Sequence, residues 1–334
     1  ADNLNVPKSL FKILNELKTQ GYDVGELPNS SEELLDLLQA RGVNLPNDKK
    51  ALQEQSQKVA KVSLEDYEAY LKILPLDIQG EMQFGLLREL HVKIESFLKE
   101  EIKTVKGSNK VPSYKAIKDY MHKTISNLHH ALDGVRSKSI QRSINLLKQL
   151  EDEYEKVLKL SQDEKEFSLE NSTSLKDAII KMEIEGIRGW GAAPGVVMVW
   201  DKELLVPSVV FGNVILAPQP PRGWELNEEL LHANLSFPPT HQYLAFYYYM
   251  KEKFKADGII HVGRHSTYEF LPRKSVGLSA SDYPSLIIEG IPSIYPYIVD
   301  GVGEGIQAKR RGQAIMIDHL TPPLATTKLY DNLL

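Results

Sequence analysis

The chain contains no cysteine among its 334 residues. Disulfides and thiolate metal sites are thereby excluded, and any metal ion must be held by His, Asp, Glu or water. No apolar run approaches the ~18 residues needed to cross a bilayer. The start lacks the charged, apolar and small-residue pattern of a signal peptide. A basic surplus is missing as well: 40 Lys and Arg against 45 Asp and Glu give a net charge of −5, which argues against a nucleic-acid partner. Neither a Gly-x-Ser-x-Gly elbow, a Walker loop nor a His-Glu-x-x-His helix occurs. What is there is ordinary for a globular protein, 42% hydrophobic and 25% charged, with length for more than one domain. The first residue is Ala rather than Met, as in an excised piece of a longer cytoplasmic enzyme.

Residues 1–75 read as an α/β edge unit. Leu10, Ile13, Leu14 and Leu17 recur at helical spacing up to Gly21, and Tyr22–Val24 has the pattern of a short strand. Ser30 or Ser31 caps a second helix that ends before Gly42, and Ser63 with Asp66 opens another that closes at Pro75. Residues 76–186 are helical in pattern. Leu87, Leu90, Ile94, Leu98 and Ile102 form one stripe, a second helix spans Tyr114–Leu132, and Ile140, Ile144, Leu147, Tyr154 and Leu158 line a third. This predicts a helical hairpin or a three-helix bundle. His122 and His129 can share a face there, and they read as surface or core histidines.

From 187 to 334 strands alternate with helices, which predicts an α/β fold, a sheet with parallel strands flanked by helices. Val196–Trp200, Ser208–Leu216, Ile259–Val262 and Ile294–Val299 read as strands, and Tyr243–Phe254 and Ile306–Leu320 as helices. The richest stretch is 257–274. A short strand ends at Gly263 and spills into a loop carrying His261, Arg264, His265, Tyr268, Glu269 and Lys274. Ligand chemistry in α/β proteins gathers at such carboxyl ends of strands. The plain reading makes His261 a strand histidine satisfied by hydrogen bonds; two imidazoles, a carboxylate and several cations together also suit metal binding or proton transfer. Gly301-Val302-Gly303-Glu304-Gly305 resembles a dinucleotide turn only in part, because Ile306 stands where the third glycine belongs. A general anion site at the following helix, with Lys309, Arg310 and Arg311, is the alternative to that weak signal, though Glu304 at the turn better suits a proton acceptor or metal contact. The residues alone point to a metal- or proton-handling cleft, cationic and aromatic, in the C-terminal half.

Longer motifs add a resemblance. They are Trp190-Gly191-Ala192-Ala193-Pro194-Gly195, Phe211-Gly212-Asn213-Val214 and Pro238-Pro239-Thr240-His241-Gln242-Tyr243, followed by His261 through Lys274, Ile294-Tyr295-Pro296-Tyr297, Ala308-Lys309-Arg310-Arg311 and His319-Leu320-Thr321-Pro322-Pro323. In this order they resemble the large subunit of cobaltochelatase and its porphyrin-binding counterpart in magnesium chelatase. The resemblance is strong from Trp190 onward and weak over 10–42 and 63–75; the helical region 76–186 stands outside it, as an inserted region would.

The resemblance implies a catalytic fragment, the 187–334 α/β core holding a cleft for a tetrapyrrole substrate and for Co²⁺, or Mg²⁺ as second choice. ATP would be used by an AAA+ ATPase subunit and its companion subunit. Metallation strips water from the ion and removes two pyrrole N–H protons. His261, His265 and Glu269 would hold the metal, with Glu304 as a further catalytic group. Arg222, His241, Arg264, Lys274, Lys309, Arg310 and Arg311 would bind the substrate, the cations pairing with its peripheral carboxylates. A non-catalytic tetrapyrrole-binding scaffold, with the helical region docking a partner, is the alternative. Three positions depart from the family pattern: Ser266 and Arg273 stand where Gly is usual, and Val302 where Pro is usual. A side chain at either glycine position would narrow or close the cleft.

Overall fold

The computed structural model describes residues 5–44, 48–104, 113–133, 135, 137–163, 165–184, 186–222, 236–262, 268–296 and 302–317, without the side chains of 101–104, 302 and 304. The N-terminal helices follow their caps. α1 (Val6–Thr19) starts where the Asn5 side chain accepts the Lys8 N–H, α2 (Ser31–Arg41) where Ser30 accepts from Glu33, and α3 (Lys49–Ser56) where Asp48 accepts from Ala51. Leu14 and Leu34 pack on Val209 and Phe211 of a hairpin formed by β4 (Val209–Phe211) and β5 (Val214–Leu216). The strand expected over Ser208–Leu216 is this hairpin, folded at Gly212, whose φ of +54° reverses the chain. Tyr22–Val24 is not a strand: the Asp23 carbonyl instead accepts the Asn213 N–H at 2.8 Å, docking the segment on the hairpin turn.

The main core joins distant parts of the chain. β1 (Ala60–Val62) pairs antiparallel with β3 (Glu203–Val206), which also pairs with β2 (Val199–Trp200), the only paired part of the Val196–Trp200 strand. α4 (Leu64–Ile73) starts at Ser63, which accepts the Asp66 N–H as its spacing predicts. A further helix, α5 (Leu76–Phe84), follows directly after Pro75. Val62, Tyr67, Ile78 and Met82 from this half meet Tyr243, Tyr247, Tyr268, Tyr283 and Tyr295 from the other.

A second core lies among four helices, α6 (Leu86–Thr104), α7 (Tyr114–Leu132), α8 (Lys138–Gln162) and α9 (Glu170–Ile180). The predicted stripe of Leu87, Leu90, Ile94 and Leu98 is buried there. The fourth helix, α9, packs against α6 and α8 and adds Ile179 and Ile180. His122 does have carboxylate neighbours. Its Nδ1 lies 2.8 Å from Glu151 and its Nε2 3.1 Å from Glu155, one turn apart on α8 and invisible at short sequence range.

In the C-terminal half, α10 (His241–Tyr248) continues into a π-turn at Tyr249–Lys253. Then β6 (Ile259–Ile260), β7 (Ser293–Pro296) and β8 (Ile315–Ile317) make a parallel sheet in the order β6-β7-β8. α11 (Tyr283–Ile288) and α12 (Val302–Arg311) are its crossovers. The helix expected over Ile306–Leu320 thus begins four residues earlier, within the stretch read as a turn. It stops at Gly312, where the Gly312 and Ala314 N–H groups both converge on the Ala308 carbonyl. The parallel sheet matches the expected α/β pattern, while the other two sheets are antiparallel. Among the described residues no helix is long and apolar enough to cross a membrane.

The Trp190 loop locks α5 to the second half, its N–H groups at Trp190 and Gly191 donating to the Met82 and Gln83 carbonyls. The approach needs Gly85, which has φ +80°, and a Cβ there would sit 2.0 Å from the Ile187 carbonyl oxygen. Gly85→Ala is expected to cost about 3 kcal/mol or more in urea denaturation, from the left-handed backbone plus the clash.

Candidate functional site

The stretch 268–274 has neither a strand nor a long helix to satisfy its backbone; only Tyr268–Phe270 forms a short 3-10 turn. Two buried arginines do so instead. Arg311, 1% exposed, donates through Nη1 to the Glu269 carbonyl (2.6 Å), through Nη2 to the carbonyls of Leu271 and Pro272, and through Nε to that of Lys274 (3.0 Å). Arg222 donates from Nη1 to the Phe270 carbonyl (3.3 Å) and from Nη2 to that of Phe237 (2.8 Å). Between them they hold every carbonyl from 269 to 274 except that of Arg273. Buried carbonyls left unpaired would cost about 1–3 kcal/mol each. Burial pulls the Arg222 guanidinium down to about 10, so it stays charged near neutral pH.

On this frame the turn presents Tyr268 and Glu269 to the end of β6. Parallel register places Ile260 beside Ile294, and so His261 beside Tyr295. The imidazole is stacked between Tyr268 (centroids 4.9 Å apart) and Tyr295 (5.3 Å). Tyr295 in turn donates from its hydroxyl to Glu269 Oε1 at 3.1 Å. Gly312 allows Tyr268 in: a Cβ there would lie 2.1 Å from the phenolic oxygen. Behind the stack, Tyr247 sits 6.4 Å from Tyr268 and its hydroxyl donates to Gln219, which donates to Tyr243.

His261 is the chemically informative group. Its Nε2 is buried and has no hydrogen-bond partner among the described residues. Burial pulls the imidazole from 6.5 to about 4, so it is neutral at pH 7. A base this weak accepts protons poorly at neutral pH, yet its lone pair is available to a metal ion without competition from a proton. Glu269, 1% exposed and one aromatic ring away, is the adjoining carboxylate. The plain reading of His261 as a strand histidine satisfied by hydrogen bonds does not hold for Nε2.

The remaining predicted residues divide sharply. Arg222 and Arg311 are turned inward, and burial with carbonyl partners gives them the task of holding the loop, a correction to their expected place on a ligand's carboxylates. His241 is likewise interior. Its Nδ1 meets the Tyr67 hydroxyl and its Nε2 the Gly191 carbonyl, both at 2.9 Å, so both ring nitrogens are used within the core. Lys274, Lys309 and Arg310 are exposed. The contact between the Lys274 carbonyl and Arg311 brings Lys274 to the end of α12 that carries the other two. Arg264, His265 and Ser266 lie outside the described residues, as does the side chain of Glu304. Among the described residues no group of three or more His, Asp or Glu is assembled that could hold a metal ion. Tyr295 is the partner that sequence reasoning missed; its signal was its place one residue past Ile294 in a strand parallel to β6.

The sequence profile described as CobN/Magnesium Chelatase matches residues 1–89 and 121–334. The chain belongs to the CobN/Magnesium Chelatase family. Relatives include an uncharacterized protein, MJ0908, of Methanocaldococcus jannaschii, 48% identical over 46% of this chain. The aerobic cobaltochelatase protein CobN of Pseudomonas aeruginosa is 41% identical over 42% of it, and the magnesium-chelatase H protein of Rhodobacter capsulatus 38% over 43%. These matches take in only 12%, 11% and 12% of the relatives' lengths. The catalytic subunit of cobaltochelatase from Mycobacterium tuberculosis shares the fold over 96% of this chain and 18% of its own, with a TM-score of 0.53 and 23% identity.

Within the CobN/Magnesium Chelatase profile only residues 90–120 go unmatched, a stretch inside α6 and α7 and the segment between them. The family resemblance also gives meaning to Arg273. Its φ of +86° is a conformation that favours glycine, the residue the resemblance implies there, yet its side chain leaves the loop for α5 and does not enter the His261 stack.

The neutral His261 links the site to pH. Its folded value lies below the unfolded one, so its contribution is fully present above pH 6.5 and is lost as pH falls toward 4, where the unfolded chain takes up a proton that the native ring refuses. Denaturant titrations at pH 6.5 and pH 4 are expected to show a loss about 3 kcal/mol larger in the parent than in His261→Phe.

Proposed function

We propose that this chain is the tetrapyrrole- and metal-handling segment of a chelatase large subunit, taking Co²⁺ by preference and Mg²⁺ as the second choice. It acts with an AAA+ ATPase subunit and its companion, which use the ATP. The names of its relatives, cobaltochelatase and magnesium-chelatase subunits, support the reaction class. The observation that carries the reading is the buried Nε2 of His261, without a partner among the described residues, on a ring stacked between Tyr268 and Tyr295 with Glu269 behind.

In this reading the His261 lone pair replaces a water of the incoming ion, and Glu269 takes a pyrrole proton relayed past Tyr295. His265 and Glu304 join them on the strength of the family resemblance. Lys274, Lys309, Arg310 and Arg264 pair with the carboxylates at the rim of the macrocycle. The cobalt preference rests on Gly303-Glu304-Gly305 and His319-Leu320-Thr321-Pro322-Pro323. A second reading, binding without metallation, draws on the absence of a three-ligand cluster among the described residues.

Absorbance and fluorescence titration with protoporphyrin IX and with hydrogenobyrinic acid a,c-diamide tests the binding. Saturable binding to one of them, weakened about tenfold in a Lys309→Ala/Arg310→Ala double variant, is expected from two lost charge-assisted contacts. Binding that ignores this change sinks the assignment of the rim. Metal uptake in the full complex then separates the readings: loss in Glu269→Ala with macrocycle binding intact supports chelation, and unchanged uptake supports the scaffold.

A further inference from the structure

Arg273 is the one residue of the 269–274 turn whose carbonyl neither buried arginine holds, and its side chain is held instead. Nη2 lies 2.9 Å from Asp77 Oδ2 and 2.9 Å from Glu81 Oε1, two carboxylates one turn apart on α5. The guanidinium also sits over the ring of Tyr283, 5.6 Å from its centroid, and the Tyr283 hydroxyl donates to Glu81 Oε2 at 3.1 Å. Glu81 is only 4% exposed, so this is no solvated surface pair of negligible worth; removing Arg273 strands a buried carboxyl group. The turn is therefore gripped on two sides. Arg222 and Arg311 take its carbonyls from within, and α5 takes the Arg273 side chain. Position 273 keeps the left-handed backbone in which glycine would be at ease, at φ +86°. An ion-pair anchor stands here where a glycine would leave the backbone bare.

We infer that Arg273 is a positioning residue: it fixes the turn that carries Tyr268 and Glu269 to α5, and so sets the geometry of the His261 stack without touching it. α5 is also the helix whose Met82 and Gln83 carbonyls receive the Trp190 loop, so the anchor ties the site to the junction between the two cores. The inference rests on the function proposed above only for the ligand-binding part of its test.

The test uses the 334-residue chain with Arg273→Gly, Arg273→Lys, Asp77→Asn and the double variant Arg273→Gly/Asp77→Asn. Amide hydrogen exchange is followed at Leu271, whose N–H donates to Tyr268, and at Lys274, whose N–H donates to Asp282. In Arg273→Gly these two amides are expected to exchange at least about tenfold faster, while amides of α7 and α8 keep their rates. Arg273→Lys restores part of the protection. The double variant exchanges no faster than Arg273→Gly alone, because both changes remove one interaction. Unchanged exchange at Leu271 and Lys274, or an equal rise throughout the helical core, overturns the inference. Protoporphyrin IX affinity supplies the second readout, expected to fall about tenfold in Arg273→Gly under conditions where the variant is fully folded. Should the parent chain bind no macrocycle, the proposed function fails, and the exchange rates still decide the role of Arg273.

Discussion

Two guanidinium groups hold a buried turn that has no ladder of its own, and the geometry of the site depends on them. Arg311 and Arg222 together supply the N–H donors for five carbonyls between Glu269 and Lys274. A loop that must stay buried, and that contains Pro272 and a residue in the left-handed region, has no regular structure in which to place those carbonyls. Arginine suits the task because its planar fork of five donors reaches several acceptors at once and keeps its charge even when desolvated. The positions of Tyr268 and Glu269 follow from this. Were the turn to relax, Tyr268 would leave the face of His261, and Glu269 its bond to Tyr295.

The stack surrounds His261 with a low-polarity environment. Flanking rings exclude water from the imidazole, which lowers its proton affinity and leaves Nε2 buried without a partner among the described residues. A fully buried nitrogen of that kind costs free energy in the folded state, and such costs concentrate where a molecule acts on something else. The exposed cations at the C-terminal end of α12 and the buried ones beneath them divide the labour: those outside remain open to an anionic ligand, those inside shape the turn.

Membership in the CobN/Magnesium Chelatase family was legible from motif order alone, from Trp190 to Pro323, and the profile match extends it toward the N-terminus. The individual roles were less legible. Lys309, Arg310 and Arg311 are adjacent, and at 100° per residue they cannot all three face one side; Tyr247, Tyr248 and Tyr249 divide in the same way, with Tyr247 buried and its neighbours half-buried. Only the inner face of α12, defined by Ala308, shows that Arg311 is the interior member. His241 misled for a related reason, since its partners Tyr67 and Gly191 lie 174 and 50 residues away.

Local chemistry decided what depends on neighbours in the chain. The helix caps at Ser30 and Ser63, the apolar stripe of α6, the extent of α7 and the presence of a strand before Gly263 all follow from spacing and side-chain hydrogen bonding within a turn. The tertiary structure alone decided whatever depends on register between remote segments. The pairing of His261 with Tyr295, the split of Ser208–Leu216 into a hairpin, the end of α12 at Gly312 with β8 beyond it, and the grip of Arg311, Arg222 and Arg273 on one turn belong here. A side chain of neutral helical or strand propensity carries no local mark of its partner. Its role is settled by which backbone needs a donor, and that need arises only once the chain has closed on itself.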